Sequence, residues 1–168
     1  MALSLLLIGG LVAYFQFSDI QDVRAAATGD FQTRGSGAWN GTTTWQRYNG
    51  SSWVNSLTGP SNSDGVITIL SGHTVTVSLP VTADQVVVNS GGQITVNTAI
   101  TLSLANGAGT DLTVNGTLQN AGTLNLGGSV TVSFGSTGTY IHNQNGGTIP
   151  TATWNAASNC RLTGITNA

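Results

Sequence analysis

Short stretches of alternating apolar and polar residues recur at a nearly constant interval through the middle of the chain. One series reads VTV, ITV, LTV and VTV, and its members start at positions 75, 94, 112 and 130, so the spacing between them hardly varies. A second series lies between them and reads ITI, VVV, LSL and LNL, starting at positions 67, 86, 102 and 124. This alternation is the period-2 pattern of a β-strand with one buried face.

A fixed interval between such strands predicts coils that stack on one another. A single coil cannot bury its own Val, Ile and Leu side chains, whereas coils stacked about 4.8 Å apart form a continuous apolar column. We therefore predict a mainly β fold, a β-solenoid of about five coils over residues 39–168, preceded by one N-terminal hydrophobic α-helix. A β-sandwich is the alternative, since short strands bounded by glycine also suit that fold.

The charge composition limits the partners that the chain can have. Charged residues make up 6% of the sequence, and four Arg and six Asp carry all of them, against about 25% in a typical domain. Four scattered Arg cannot form the basic face that binds phosphates, so we expect no nucleic-acid partner. With 39% hydrophobic residues and a net charge of -2, the chain can bury a core, which argues against disorder.

The first residues form a segment of a different kind. Residues 2–17 (ALSLLLIGGLVAYFQF) carry no charge, and as a helix they would span roughly 25 Å, close to the minimum for crossing a bilayer. We predict a hydrophobic helix over residues 1–27 and a flexible linker over residues 28–38. The side chains expected to make polymerisation contacts are Leu3, Leu5, Leu6, Leu7, Ile8, Leu11, Val12, Tyr14, Phe15 and Phe17.

A cleaved signal peptide is the competing interpretation of this segment. Three alanines at residues 25–27 resemble a small-residue cleavage site, but no Lys or Arg precedes the apolar run and a charged stretch, SDIQDVR, follows it. The segment is therefore expected to be retained. An apolar helix this exposed must be buried in lipid or against copies of itself.

Residues 1–30 resemble the mature N-terminus of a type IV pilin-like subunit. The resemblance rests on the start MALSLLLI, the apolar segment that continues it, and a polar turn into a β-domain. The family usually has Glu at the fifth position, where this chain has Leu5. The resemblance implies a basic leader removed by a prepilin peptidase, and N-terminal helices that pack together in a filament.

Residues 31–166 resemble the β-helical module of secreted cell-surface proteins of Bacteroidota. The matching motifs are FQTRGSGAWN, SGHTVTV, DQVVVNSGG, GTDLTVNGTL and NQNGGTIPTATWN, which begin at positions 31, 71, 84, 109 and 143. The resemblance implies a β-helical fold at the cell surface and supplies no catalytic residues.

Few residues could carry chemistry. His73 and His142 lie far apart in the sequence, and each is expected at the surface or at a strand edge. Four aspartates adjoin Gly or a turn, where an aspartate accepts hydrogen bonds from its own backbone; they are Asp30, Asp64, Asp84 and Asp111. With no Lys or Glu to build a base or a carboxylate pair, we expect no enzyme, no metal site and no cofactor.

Aromatic residues cluster before the first predicted coil: Trp39, Trp45, Tyr48 and Trp53. They are expected to cover the exposed end of the solenoid, and a face that stacks on a glycan is the alternative. At the other end, Trp154 and Cys160 are expected to close the solenoid. Cys160, the only cysteine, is expected to be a small buried apolar residue.

These patterns predict a structural subunit of an extracellular, pilus-like filament at the cell surface. Its partner is the chain itself, with N-terminal helices in the core, solenoids outside, and membrane contact before assembly. The alternative is a membrane-tethered adhesin or glycan-binding module whose partner is a surface polysaccharide. A third possibility is the leading part of a larger surface protein.

Overall fold

A computed structural model describes residues 24–166, which form a β-solenoid of about five turns and contain no helix. The ten side chains predicted to make polymerisation contacts lie outside the described residues, as does most of the predicted helix. Of that helix, residues 24–27 are described, and they have no regular structure. Within residues 24–166, nothing forms a helix of the length and hydropathy needed to span a bilayer.

The described residues form seventeen short strands, numbered β1 to β17 along the chain. Their bounds are Phe31–Thr33, Gly37–Ala38, Trp45–Tyr48, Trp53–Asn55, Ile67–Ile69, Thr74–Val77, Val81–Ala83, Val86–Val88, Gln93–Val96, Thr101–Leu104, Leu112–Val114, Thr117–Asn120, Thr123–Leu126, Val132–Phe134, Thr139–Asn143, Thr153–Trp154 and Asn159–Thr163.

These strands form three parallel faces. Face A has the order β16-β14-β11-β8-β5-β1 and is extended by the antiparallel strands β3 and β4. Face B has the order β17-β15-β12-β9-β6-β2, and face C has the order β13-β10-β7. A full coil contributes one strand to each face and then passes to the next coil.

Alternate residues of each strand point into the solenoid. On face B, Val75, Ile94 and Leu118 are aligned in register, and all three are fully buried. Because apolar residues repeat at every second position, the stacked strands form a continuous apolar column. Burying each such side chain contributes about 1.5–3 kcal/mol, so the column stabilises the stack.

The coils differ in length more than the sequence interval predicts. On face A, Ile67 aligns with Val86, then with Leu112, and then with Val132, so the coil from Val86 to Leu112 is longer than the coil on either side of it. The first predicted series therefore mixes two faces: residues 75–77 and 94–96 lie on face B, whereas residues 112–114 lie on face A. Compared with the coil before it, most of the extra residues form the corner between β10 and β11, because coils align by stacking and corners can vary in length.

The predicted linker over residues 28–38 is also wrong. It contains β1 and β2, and β1 pairs with β5 while burying Phe31 and Thr33. Gly35 lies in the corner between these strands and Gly37 begins β2, so the solenoid begins at Phe31 rather than at Trp39.

Tight corners between faces A and B explain one of the glycines. Gly116 joins β11 to β12 and lies against the carbonyl oxygens of Asn89 and Gly92 in the preceding coil. A Cβ at this position would overlap both oxygens, so any other residue would push the coils apart.

Candidate functional site

The N-terminal end of the solenoid is closed by a cap of three buried aromatic residues, Phe31, Trp39 and Trp45, which we call the N-terminal cap. The Trp45 indole N–H donates to the backbone carbonyl of Trp39 at 2.6 Å, and the Trp39 indole N–H donates to that of Pro60 at 2.8 Å. The two indole rings meet edge to face with centroids 5.3 Å apart. Since both indole donors are satisfied, these rings close the core without burying an unpaired polar group.

The hairpin formed by β3 and β4 carries the other two predicted aromatic residues. Tyr48 and Trp53 lie opposite each other across the hairpin, with ring centroids 5.3 Å apart and both rings half-buried. Of the four residues considered for glycan binding, Trp39 and Trp45 are inside the cap. Sugar stacking at this hairpin would therefore depend on the exposed parts of Tyr48 and Trp53.

A groove runs along the outer edge of face C near the C-terminal end, and we call it the face-C groove. The strand β13 is the last of its face, and residues 147–151 cross beyond it without joining a described sheet. The groove between them has a volume of about 790 Å³. Its lining is uncharged and consists of Asn120, Gly122, Thr123, Leu124, Asn125, Leu126, Gly127, Gly128, Val130, Gln144, Gly147, Thr148, Ile149, Pro150 and Thr151.

A chain of buried hydrogen bonds begins at the wall of this groove. The Asn120 amide donates to the Tyr140 hydroxyl at 3.3 Å, and that hydroxyl lies 3.3 Å from His142 Nδ1. His142 Nε2 is 2.6 Å from the backbone carbonyl of Gly146, which can only accept. Nε2 therefore carries a proton, and with a neutral imidazole Nδ1 accepts from Tyr140. Burial raises the pKa of Tyr140 above its ordinary value. The Tyr140 hydroxyl therefore stays protonated in this series of hydrogen bonds.

The prediction that His142 lies at the surface or at a strand edge is therefore wrong. Its side chain is 4% exposed because it points inward from β15, aligned with Asn120 on β12. His73 differs: it is half-buried at a corner, where its Nδ1 lies 2.8 Å from the Thr33 hydroxyl. Within the described part of the chain, no three His, Cys, Asp or Glu side chains gather as they would around a metal.

Aspartates stabilise the corners of face A in two ways. Asp64 accepts from the backbone N–H of Ser61 within its own turn at 2.9 Å, as predicted from the sequence. Asp111 also accepts from a nearby backbone N–H, that of Gly107, at 2.8 Å. In addition, Asp111 accepts from the N–H of Thr131 in the next coil at 2.6 Å, so this carboxylate joins two coils.

Asp30 repeats the arrangement in the first coil. One of its oxygens accepts from the backbone N–H of Val66 at 2.9 Å, and the other lies 2.7 Å from the Arg24 guanidinium. Asp30 directly precedes β1 as Asp111 directly precedes β11, so the two aspartates occupy equivalent corners.

Asp84 and Asp111 form a close carboxyl pair at the corner between faces C and A. Burial, together with the neighbouring Asp111 carboxylate, raises the pKa of Asp84, although the Gln85 N–H opposes the shift. Burial also acts to raise the pKa of Asp111, but its hydrogen bonds from Gly107 and Thr131 outweigh that effect and hold it below the usual value. On acidification Asp84 therefore takes up a proton before Asp111 does.

The C-terminal end differs from the prediction at Cys160. Trp154 stacks on Phe134 with parallel rings 4.1 Å apart and covers part of the core. Cys160 aligns with the buried Tyr140 but is exposed, because no described strand lies beyond β17 to cover it.

Two features of this end escaped the sequence patterns. The Asn120, Tyr140 and His142 chain comes from strands of successive coils, β12 and β15, so no local motif marks it. The face-C groove arises where face C stops after β13 while the other two faces continue.

Comparisons with protein-family models, with curated proteins and with solved structures found no match to this chain.

Proposed function

We propose that the chain is the structural subunit of an extracellular, pilus-like filament on the cell surface. In this proposal the apolar N-terminal segments pack together as helices in the filament core, and the solenoids form its outer surface. The subunit contacts a membrane only before assembly.

One observation carries the proposal: the described residues bury a continuous core of their own, and the apolar segment lies outside them. All buried hydrophobic residues of the described core lie between Phe31 and Tyr140, and Trp154 packs against them from the C-terminal side. Residues 2–17 add an uncharged apolar stretch to a chain whose described part already has a core. A segment of this hydropathy requires another apolar surface, which neighbouring copies or a lipid bilayer can supply.

The composition of the solenoid also supports a structural role. Most of its outward strand positions carry Thr, Ser, Asn or Gln, and charged residues are only 6% of the chain. Copies can therefore approach one another closely without strong repulsion between like charges. Contacts between unlike ends that do not close into a ring would generate a helical polymer.

The test compares the full chain with a variant that lacks residues 1–17. We expect the full chain to form thin, uniform filaments by negative-stain electron microscopy, and the deletion variant to remain a soluble monomer by light scattering. A circular dichroism spectrum of the variant controls for folding of the solenoid. Filaments that persist without residues 1–17 would contradict the proposal.

A membrane-tethered glycan-binding module is the second candidate, favoured by the half-exposed pair of Tyr48 and Trp53. Aromatic rings in such a pair can stack on a sugar ring. This candidate expects Trp53→Ala to reduce retention on immobilised polysaccharide without changing the melting temperature by more than a few degrees. Retention equal to that of the wild type would exclude the hairpin as a glycan site.

A further inference from the structure

We propose that residues 2–5 of one copy bind as a β-strand in the face-C groove of the next copy, paired with β13. This inference rests on the proposed function, because it names the surface that receives the N-terminal segment. It uses only the first residues of that segment and leaves residues 6–17 for packing between neighbouring segments.

The outer edge of β13 offers backbone groups to such a strand. The N–H of Thr123 donates to the carbonyl of Ile100 in the previous coil at 2.8 Å, so Thr123 faces β10. Successive residues of a strand direct their backbone N–H and C=O groups to opposite sides. The backbone groups of Leu124 and Leu126 therefore face the groove, away from β10. No described strand pairs with this edge. An unpaired edge of this kind is a template for strand addition.

The groove also sets the side chains that an added strand must carry. Leu124 and Leu126 point inward and remain half-exposed, whereas Thr123 and Asn125 point outward. A strand in register with β13 must therefore have apolar residues beside the two leucines and small or polar residues between them. Because the groove has no charged lining residue, an uncharged strand fits it best.

Residues 2–5 meet these requirements, because they have the same alternation of leucines with small or polar residues as the strands of face C. They read ALSL, while β10 reads TLSL and β13 reads TLNL. Placed in register, Leu3 and Leu5 would cover Leu124 and Leu126. On the outer side, the Asn125 amide already donates to the Ser103 hydroxyl at 3.3 Å, and Ser4 would extend this polar row by one coil.

The two ends of the described chain suit a contact between copies arranged head to tail. The described chain begins at Arg24, which pairs with Asp30 beside the first coil, whereas the groove lies near the last coils. With residues 6–17 helical at about 1.5 Å per residue and residues 18–23 extended at about 3.3 Å per residue, the segment from residue 6 to residue 23 spans roughly 38 Å. It can therefore bridge two solenoids arranged end to end, and each copy then gives one strand and receives one, which is an open polymer.

Disulfide trapping tests this register in the full chain. In a Cys160→Ser background, Ser4→Cys and Asn125→Cys would stand opposite each other on neighbouring strands, at a Cα separation that a disulfide can bridge. We expect mild oxidation of the filaments to give a ladder of covalent multimers on a non-reducing gel. The matched control is Ser4→Cys with Ser103→Cys, one strand further away, and it should give no ladder.

The outcomes separate this inference from the filament proposal. Filaments without a ladder, or with equal ladders from both pairs, would overturn the strand contact while leaving the filament proposal intact. A cross-link confined to monomers would show that the segment binds its own groove and would overturn the contact between copies. Wild-type chains that form no filaments under any condition would contradict the filament proposal itself.

A pair of charge substitutions gives a second, independent test. In a strand paired with β13, Leu5 points inward and Ser4 points outward, so Leu5→Asp should abolish filaments while Ser4→Asp preserves them. Equal loss in both variants would contradict the strand, because a helix surrounded by other helices would tolerate neither charge.

Discussion

The two ends of the solenoid are built from the same repeat and yet differ in burial. At the N-terminal end, Trp45 is fully buried beneath the first coil and its hairpin. At the C-terminal end, Cys160 and Leu162 occupy inward positions aligned with Tyr140 and His142, but both are exposed. The comparison teaches that an inward position in a solenoid is buried only if another layer covers it.

The largest expected effect is at the closed end. Trp45→Ala should lower the free energy of unfolding by about 3–5 kcal/mol, because it empties the N-terminal cap and leaves the Trp39 carbonyl without its donor. Urea denaturation of the solenoid measures the change. Trp53→Ala on the same hairpin is the control, and its half-exposed ring should cost much less; equal losses would mean that the cap does not stabilise this end.

The next effect concerns the buried hydrogen-bond chain near the open end. Tyr140→Phe should cost about 1–3 kcal/mol, because it leaves the Asn120 amide and His142 Nδ1 without a partner. Tyr48→Phe, at a half-exposed position, should change stability little. If the two variants have the same denaturation midpoint, the buried hydrogen bonds of Tyr140 contribute nothing to stability.

Asp84 and Asp111 should both make the stability of the fold depend on pH. Ionisation of Asp111 should stabilise the fold, whereas ionisation of Asp84 should destabilise it. The lowered pKa of Asp111 means that its ionised form favours folding. Its contribution is full above the unfolded pKa of about 3.9 and is lost as the pH falls through the lower, folded value. Asp111→Asn should therefore lower the melting temperature at pH 7 and matter less at low pH.

Asp84→Asn should act in the opposite direction. Because the folded pKa of Asp84 is raised, its ionised form disfavours folding at pH 7, and the substitution should raise the melting temperature there. The gain should vanish as the pH falls below the pKa of Asp84 and the carboxyl takes up its proton. Melting temperatures from pH 3 to pH 8 check both variants, and a gain from Asp84→Asn that persists at pH 3 would contradict this account.

The smallest expected effect is at the open end itself. Leu162→Ala in the variant that lacks residues 1–17 should change stability by less than about 0.5 kcal/mol, since the side chain is already 57% exposed. Leu118→Ala, an inward residue on the same face beneath a covering strand, should cost about 2–5 kcal/mol. A large loss at Leu162 would show that this end is covered in solution.

The fold class could be predicted from the sequence because the period-2 alternation is local. Inward residues such as Ile94 and Val96 are marked by their immediate neighbours. The coil length could not be predicted, because the corner that holds Asp111 adds residues without disturbing the stacked strands. The burial of His142 could not be predicted for a similar reason. It depends on the pairing of β15 with β12, which places His142 beside Asn120, and this pairing joins residues far apart in the sequence.

The candidate sites were predicted less well than the fold. The aromatic cluster was identified from its composition, but only the structure separates the buried Trp39 and Trp45 from the half-exposed Tyr48 and Trp53. The face-C groove has no sequence signal of its own, since it results from a strand that the fourth coil has and the fifth lacks.

Stacking in one dimension also determines how this molecule should come apart. Each parallel strand shares its backbone hydrogen bonds only with the coils directly before and after it, so the solenoid behaves as a row of nearest neighbours. Opening should then start at β17, beyond which no described strand lies, and proceed towards the cap. Amide hydrogen exchange should be fastest around Leu162 and slowest around Ile67 and Val86, so protection should increase along the axis towards the cap. In a filament, a neighbouring copy that covers the end at β17 should remove this gradient.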